Sequence, residues 1–110
     1  MNNLKELIEK VKEENLGKQK LEEYHTAITY LDNQMRMEIA PLEKEEALYF
    51  QKVMAPYQSG DDTSQRPPDI KIKRWWRATE KGQRQIELSH YLKVTPKLLQ
   101  SIKTRLYSIY

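Results

Sequence analysis

The chain has 110 residues, 38% hydrophobic and 32% charged, with 19 Lys and Arg against 16 Asp and Glu for a net charge of +3. That length fits one small domain, or one with an appendage, and the hydrophobic share supports a modest core rather than full disorder. Three glycines and five prolines are too few for the turns of a β-sandwich or barrel, and the lack of cysteine removes disulfides, thiolate metal sites and cysteine nucleophiles.

The elements read in chain order as an all-α protein of about five helices. Asn2 or Asn3 can cap a first helix in which Leu4, Leu7, Ile8 and Val11 fall at i, i+3, i+4 and i+7. Asn15-Leu16-Gly17 stops it. A second helix, about Lys18 to Ala40, carries Leu21, Tyr24, Ile28, Leu31, Met35 and Ile39 along one face. Pro41 breaks or kinks it and makes a good first residue for a third helix, with "EKEE" in the first turn and Leu42, Tyr49, Phe50, Val53, Met54 and Tyr57 as the apolar face.

"PYQSGDDTSQRPPD" at 56–69 reads as a linker or exposed loop, bounded as 58–69 between the two regions. Beyond it "DIKIKRWW" alternates like a short strand. A helix capped by Asp69 is preferred, because Ala78, Thr79 and Glu80 continue it until Gly82 ends it. A further helix runs from about Arg84 to Leu92, and the next apolar stripe is Leu98, Leu99, Ile102, Leu106 and Ile109. Between them Thr95-Pro96 either kinks one long helix or makes a corner. The corner is the reading adopted: Lys93-Val94 turns, Thr95 caps, and Pro96 takes the first position, where a missing N–H costs nothing.

Charge divides the chain. Residues 1–65 hold 8 Lys and Arg against 13 Asp and Glu, and residues 66–110 hold 11 against 3. The expected organisation is therefore an acidic helical region over 1–57 for dimerisation or partner contact, and a basic region over 70–110 facing a polyanion. The bland reading is a set of solvated helix faces. Gln100, Ser101 and Thr104 suit base edges in a major groove, and Lys97 suits phosphate or guanine.

"EKGQRQIELSHYLKVTPKLLQSIKTRL" resembles the helix-turn-helix of bacterial and phage Cro-type repressors over about residues 72–106. In that register Gln85 starts the first motif helix and Ser89 is its small residue. Val94 is the buried turn residue, and Leu99 and Ile102 pack the recognition helix. Lys93 stands where the turn usually holds Gly and must adopt left-handed angles or shift the turn. The resemblance implies duplex DNA binding with Gln85, Thr95, Lys97, Ser101 and Thr104 at the groove, and Trp75 or Trp76 anchoring the preceding helix. Lys71, Lys73, Arg74, Arg77, Arg84, Lys93 and Lys103 would meet phosphates.

A second resemblance, from "YLDNQ" at 30–34, "YQSG" at 57–60 and "SIKTRLYSI" at 101–109, is to UvsY-type phage recombination mediators, which implies single-stranded DNA. "KIKRWWRATEK" sets cations around two tryptophans, a combination suited to base stacking. Adjacent tryptophans cannot share one helix face, so one is expected in the core and the other partly exposed.

Catalysis is not expected. His25 and His90 are the only histidines and have no HxxxH or HxxE companion; Glu22-Glu23 and Glu43, Glu45 and Glu46 read as solvated faces. No metal or other cofactor is implied. No 18-residue apolar run exists and "MNNLKELIEK" lacks a signal-peptide core, so a soluble, unexported, cytoplasmic protein without membrane contact is expected. Three functions fit the sequence, in this order: a dimeric duplex-DNA regulator, a single-strand mediator, and a helical protein-binding inhibitor or adaptor with Met35, Met37 and Met54 as an adaptable surface.

Overall fold

The computed structural model describes residues 2–13, 15–58 and 66–109. Among them lie four helices and no strand: α1 (Asn2–Val11), α2 (Lys18–Gln58), α3 (Asp69–Arg77) and α4 (Glu80–Ile109). The all-α class holds, but two expected breaks are not breaks. α2 runs through Pro41 and Pro56, and α4 runs through Pro96. A proline inside a helix removes the donor for the carbonyl four residues back. All three prolines are exposed, which puts that defect on the wet side of each helix. The apolar stripe also stays in phase across Pro41 and Pro96. Ile39 continues to Leu42, Tyr49 and Val53, and Tyr91 and Leu92 continue to Leu98, Leu99 and Ile102.

Asp69 is the first residue inside α3 rather than its cap; Pro68 takes the cap position with no side-chain bond, and the Asp69 carboxylate lies 3.4 Å from Arg66. Of the expected linker, residues 59–65 lie outside the described residues, and 66–68 are non-helical.

The chain forms two compact units, one over residues 1–36 and 90–110 and one over 37–89. Each draws on both the acidic and the basic stretches of sequence, so the structural division does not follow the charge division. In the terminal unit Val11, Leu21, Ile28 and Ile102 make a buried cluster, with Leu7, Leu16, Tyr24, Leu98, Leu99 and Leu106 packed on it. Arg105 of α4 donates from Nη1 to the Val11 carbonyl at 2.5 Å, and so places a cation on the last carbonyls of α1, where the helix dipole favours it. Arg105→Met is expected to loosen that helix end at a cost of about 1 kcal/mol. Faster amide exchange confined to residues 7–13 would show it, and unchanged protection there would refute the assignment.

The central unit buries Ile39, Ile72, Trp76 and Leu88, and the Tyr49 ring sits 5.6 Å from that of Trp76. α3 and α4 meet at a two-residue corner, Ala78-Thr79. Thr79 holds it with one hydroxyl, which donates to the Trp76 carbonyl at 2.6 Å and accepts from the Gly82 N–H at 3.0 Å. The second bond is an N-cap of α4. Gly82 therefore does not end a helix but opens one. Its Cα lies so close to α3 that a Cβ there would fall 2.0 Å from the Trp76 carbonyl oxygen.

Candidate nucleic-acid interface

α3 turns Ile72 and Trp76 into the core, and this assigns the tryptophan pair: Trp76 is 4% exposed and Trp75 is 41% exposed. The remaining surface of α3 carries Lys71, Lys73, Arg74 and Arg77, all exposed. None of the four side chains forms an ion pair or hydrogen bond among the described residues. Lys71, Arg74 and Arg77 follow at intervals of three residues, rising about 4.5 Å per step. Lys71 and Trp75 are four apart, so the aliphatic stem of the lysine and the ring are neighbours on the helix surface. Ile70, 64% exposed, completes this face on the far side of Arg74.

The basic residues of the α4 first turns are different, because acidic side chains of α2 already hold them. Arg84 puts Nε on Glu38 at 2.7 Å and its Nη2 on the second Glu38 oxygen at 2.8 Å, with Nη1 on Glu87 at 2.7 Å. Arg84's bonds hold the Glu38 carboxyl below its usual range, and the same bonds hold the guanidinium more firmly charged. Lys81 Nζ lies 3.0 Å from one Glu45 oxygen and 2.9 Å from the other. Gln85 is also occupied: its carbonyl oxygen accepts from Trp76 Nε1 at 2.5 Å and its amide donates to Glu46 at 3.2 Å. Arg84, expected at phosphate, and Gln85, expected at a base edge, therefore already have partners within the central unit, and contact with nucleic acid would exchange those bonds.

The corner at Thr95-Pro96 is not formed. Lys93 to Pro96 are helical, and no described non-glycine residue, Lys93 included, has positive φ. Thr95 caps nothing. It is fully buried, and its hydroxyl donates to Asp32 Oδ1 at 2.5 Å, so it cannot read a base. Val94 is a half-buried residue within the helix rather than a turn residue. Leu92, Thr95, Leu99 and Ile102 follow a 3-4-3 spacing, which is the continuous core stripe of one helix. Thr before Pro is a strong local start signal, and here the continuous stripe outweighs it.

The other expected groove residues do share a surface. Lys97, Gln100, Ser101 and Thr104 are all exposed at i, i+3, i+4 and i+7 of α4, with Lys93 one turn earlier. Thr104 spends its hydroxyl proton on the Gln100 carbonyl at 3.0 Å. Lys103 is exposed but lies about 120° round the helix from Lys97. It borders a shallow groove with Glu22, His25, Thr26 and Tyr107.

Asp32 is the residue that the sequence reading missed. It is buried, with Oδ2 accepting from Arg36 Nε at 2.8 Å and Oδ1 accepting from Thr95. Burial pushes its carboxyl up, but the Thr95 and Arg36 bonds outweigh that and leave it below its ordinary value of 3.8. The signal was available: Asp32 and Thr95 are the polar residues standing in phase on two apolar stripes. Of the three methionines expected on a partner surface, Met35 is buried, Met54 is half-buried and Met37 is exposed.

No protein-family model, curated protein or solved structure matches this chain. No described group of three His, Cys, Asp or Glu side chains is arranged to hold a metal ion, and no described helix is long and apolar enough to cross a membrane.

Proposed function

We propose that this protein binds nucleic acid and that α3 makes the principal contact with the phosphate backbone. The observation that carries this reading is that Lys71, Lys73, Arg74 and Arg77 are exposed without ion-pair partners among the described residues, while Lys81 and Arg84 of the same unit are neutralised by Glu45 and Glu38. A polyanion reaching α3 meets four cations that lose no internal ion pair on binding it, and the released counterions supply the driving force. The adjacent corner at Ala78-Thr79 fixes the direction in which α3 leaves the central unit, so the cationic face is presented on a rigid element.

A second contact has its own support. The exposed stripe of Lys97, Gln100, Ser101 and Thr104 offers donors and acceptors suited to base edges in a duplex major groove, and a single continuous helix can enter such a groove without a preceding corner. Sequence-specific regulation of duplex DNA rests on this stripe and not on the unformed turn.

Fluorescence anisotropy of labelled single-stranded and duplex oligonucleotides at about 50 and 200 mM salt tests the proposal. Binding should fall steeply between the two. Lys71→Ala and Arg74→Ala should each weaken binding to every sequence alike and reduce the salt slope by about 1, whereas Lys97→Ala should weaken only a preferred duplex. No binding at low salt would reject nucleic acid as the partner, and the cationic face would then belong to an acidic protein.

A further inference from the structure

The exposed surface of α3 combines its cations with two large apolar side chains, and their placement separates the partners that such a surface could take. Ile70 and Trp75 are about 140° apart around the helix, with Arg74 between them. A helix lying in a lipid interface needs its apolar residues on one face with the cations on the other. Here the cation sits between the apolar groups, so no single apolar plane exists to enter a bilayer. An acidic protein surface would pair with the four cations and could also bury the indole, and the nucleic-acid probes below separate that partner from a strand. A single strand uses both features: its phosphates meet the cations and its unpaired bases present flat aromatic faces to the ring.

We infer that Trp75, with Lys71 one turn before it on the same face, is a base-stacking subsite that makes α3 selective for unpaired bases over duplex. The inference rests on the nucleic-acid reading of α3 and adds the class of strand it takes. Trp75 keeps 41% of its surface open while its neighbour Trp76 is locked in the core by the Gln85 bond and the Tyr49 ring. The pair thus divides two tasks, one ring holding α3 on the unit and one facing solvent. In a duplex the base faces are stacked on one another and closed to an indole; in a single strand they are open. Because every base has such a face, the subsite is tolerant of sequence.

The test uses the full chain with three probes of about 12 nucleotides: oligothymidylate, an abasic strand of the same length, and the thymidylate strand paired into a duplex. At about 50 mM salt, oligothymidylate should bind about 5- to 150-fold more tightly than the abasic strand and should quench tryptophan fluorescence, while the abasic strand and the duplex should not quench. Equal or tighter binding of the duplex, with quenching, would overturn the selectivity for unpaired bases. Trp75→Leu should bring oligothymidylate down to the abasic level, and Trp75→Phe, which keeps an aromatic face, should retain most of the preference. Equal affinity of wild type for the oligothymidylate and abasic strands, without quenching, would overturn the stacking subsite and leave the phosphate contact standing. An equal loss on both strands in Trp75→Leu would show a structural role for the ring and would overturn it as well. Failure of all three probes to bind would reject the nucleic-acid reading with it.

Discussion

Gly82→Ala is expected to be the most damaging single-methyl addition in this protein, lowering stability by about 3 kcal/mol or more. The Cβ would sit 2.0 Å from the Trp76 carbonyl oxygen and 2.7 Å from its carbon, and these are backbone atoms in the last turn of α3. Backbone cannot move aside as a side-chain tip can. Relief requires α3 and α4 to part, which would break the Thr79 bonds to the Trp76 carbonyl and to the Gly82 N–H together. It would also strain the Trp76 bond to Gln85 and the Tyr49 contact, so the cost spreads through the core of the central unit. Gly82 lies in a helix, where alanine is ordinarily favoured by about 1 kcal/mol, and the sign of the effect therefore discriminates cleanly. Thermal unfolding followed by circular dichroism should show Tm falling by about 12 °C or more. A Tm equal to or above that of wild type would mean that α3 and α4 do not meet as closely as described.

Thr95→Val carries the second-largest expected effect, about 2 kcal/mol at neutral pH. Valine keeps the shape and removes the hydroxyl, which leaves a buried carboxylate oxygen of Asp32 without its donor. Hydrogen bonds to charged acceptors are the strong ones, and a buried acceptor left unpaired costs its desolvation. The pH dependence gives a second readout. The folded Asp32 carboxyl lies below its ordinary value of 3.8, so its contribution to stability is complete above that value and disappears as pH falls through the lowered folded value. Arg36 stays charged throughout and keeps part of the effect in the variant. Denaturant unfolding from about pH 7 to pH 3 should therefore show the gap between wild type and Thr95→Val closing on acidification. A gap that stayed constant with pH would mean that the hydroxyl contributes without involving the Asp32 charge.

Much of the local structure was legible in the chain. The i, i+3, i+4, i+7 spacing of Leu4, Leu7, Ile8 and Val11 is α1, whereas Gly17 does not end that helix: α1 stops at Val11, and the Gly17 carbonyl accepts from the Leu21 N–H at the start of α2. The adjacency of Trp75 and Trp76 required one ring in and one ring out, which is the arrangement found. The face formed by Lys97, Gln100, Ser101 and Thr104 also followed from spacing alone. Helix periodicity and the separation of faces are local properties that 3.6 residues per turn imposes on any helix.

The prolines and the charges were another matter. Pro41 and Pro96 carry the same local signal whether they open a helix or interrupt one, because the donor they lack can be missing at either place. Only the packing of the stripes on both sides decides, and in both cases it keeps the helix running. The sequence likewise holds an acidic front and a basic back, but whether a given cation is free depends on what lies across from it in the fold. Arg84 and Lys81 face Glu38 and Glu45 from some 40 residues away, while Lys71, Lys73, Arg74 and Arg77 face no described acid. Residue spacing, composition and the run of charges along the chain by themselves determined that this protein is helical, modest in its core and basic toward its C-terminal end. Tertiary structure decided which of those basic residues remain open to a partner, because charge is counted along the chain but neutralised across space.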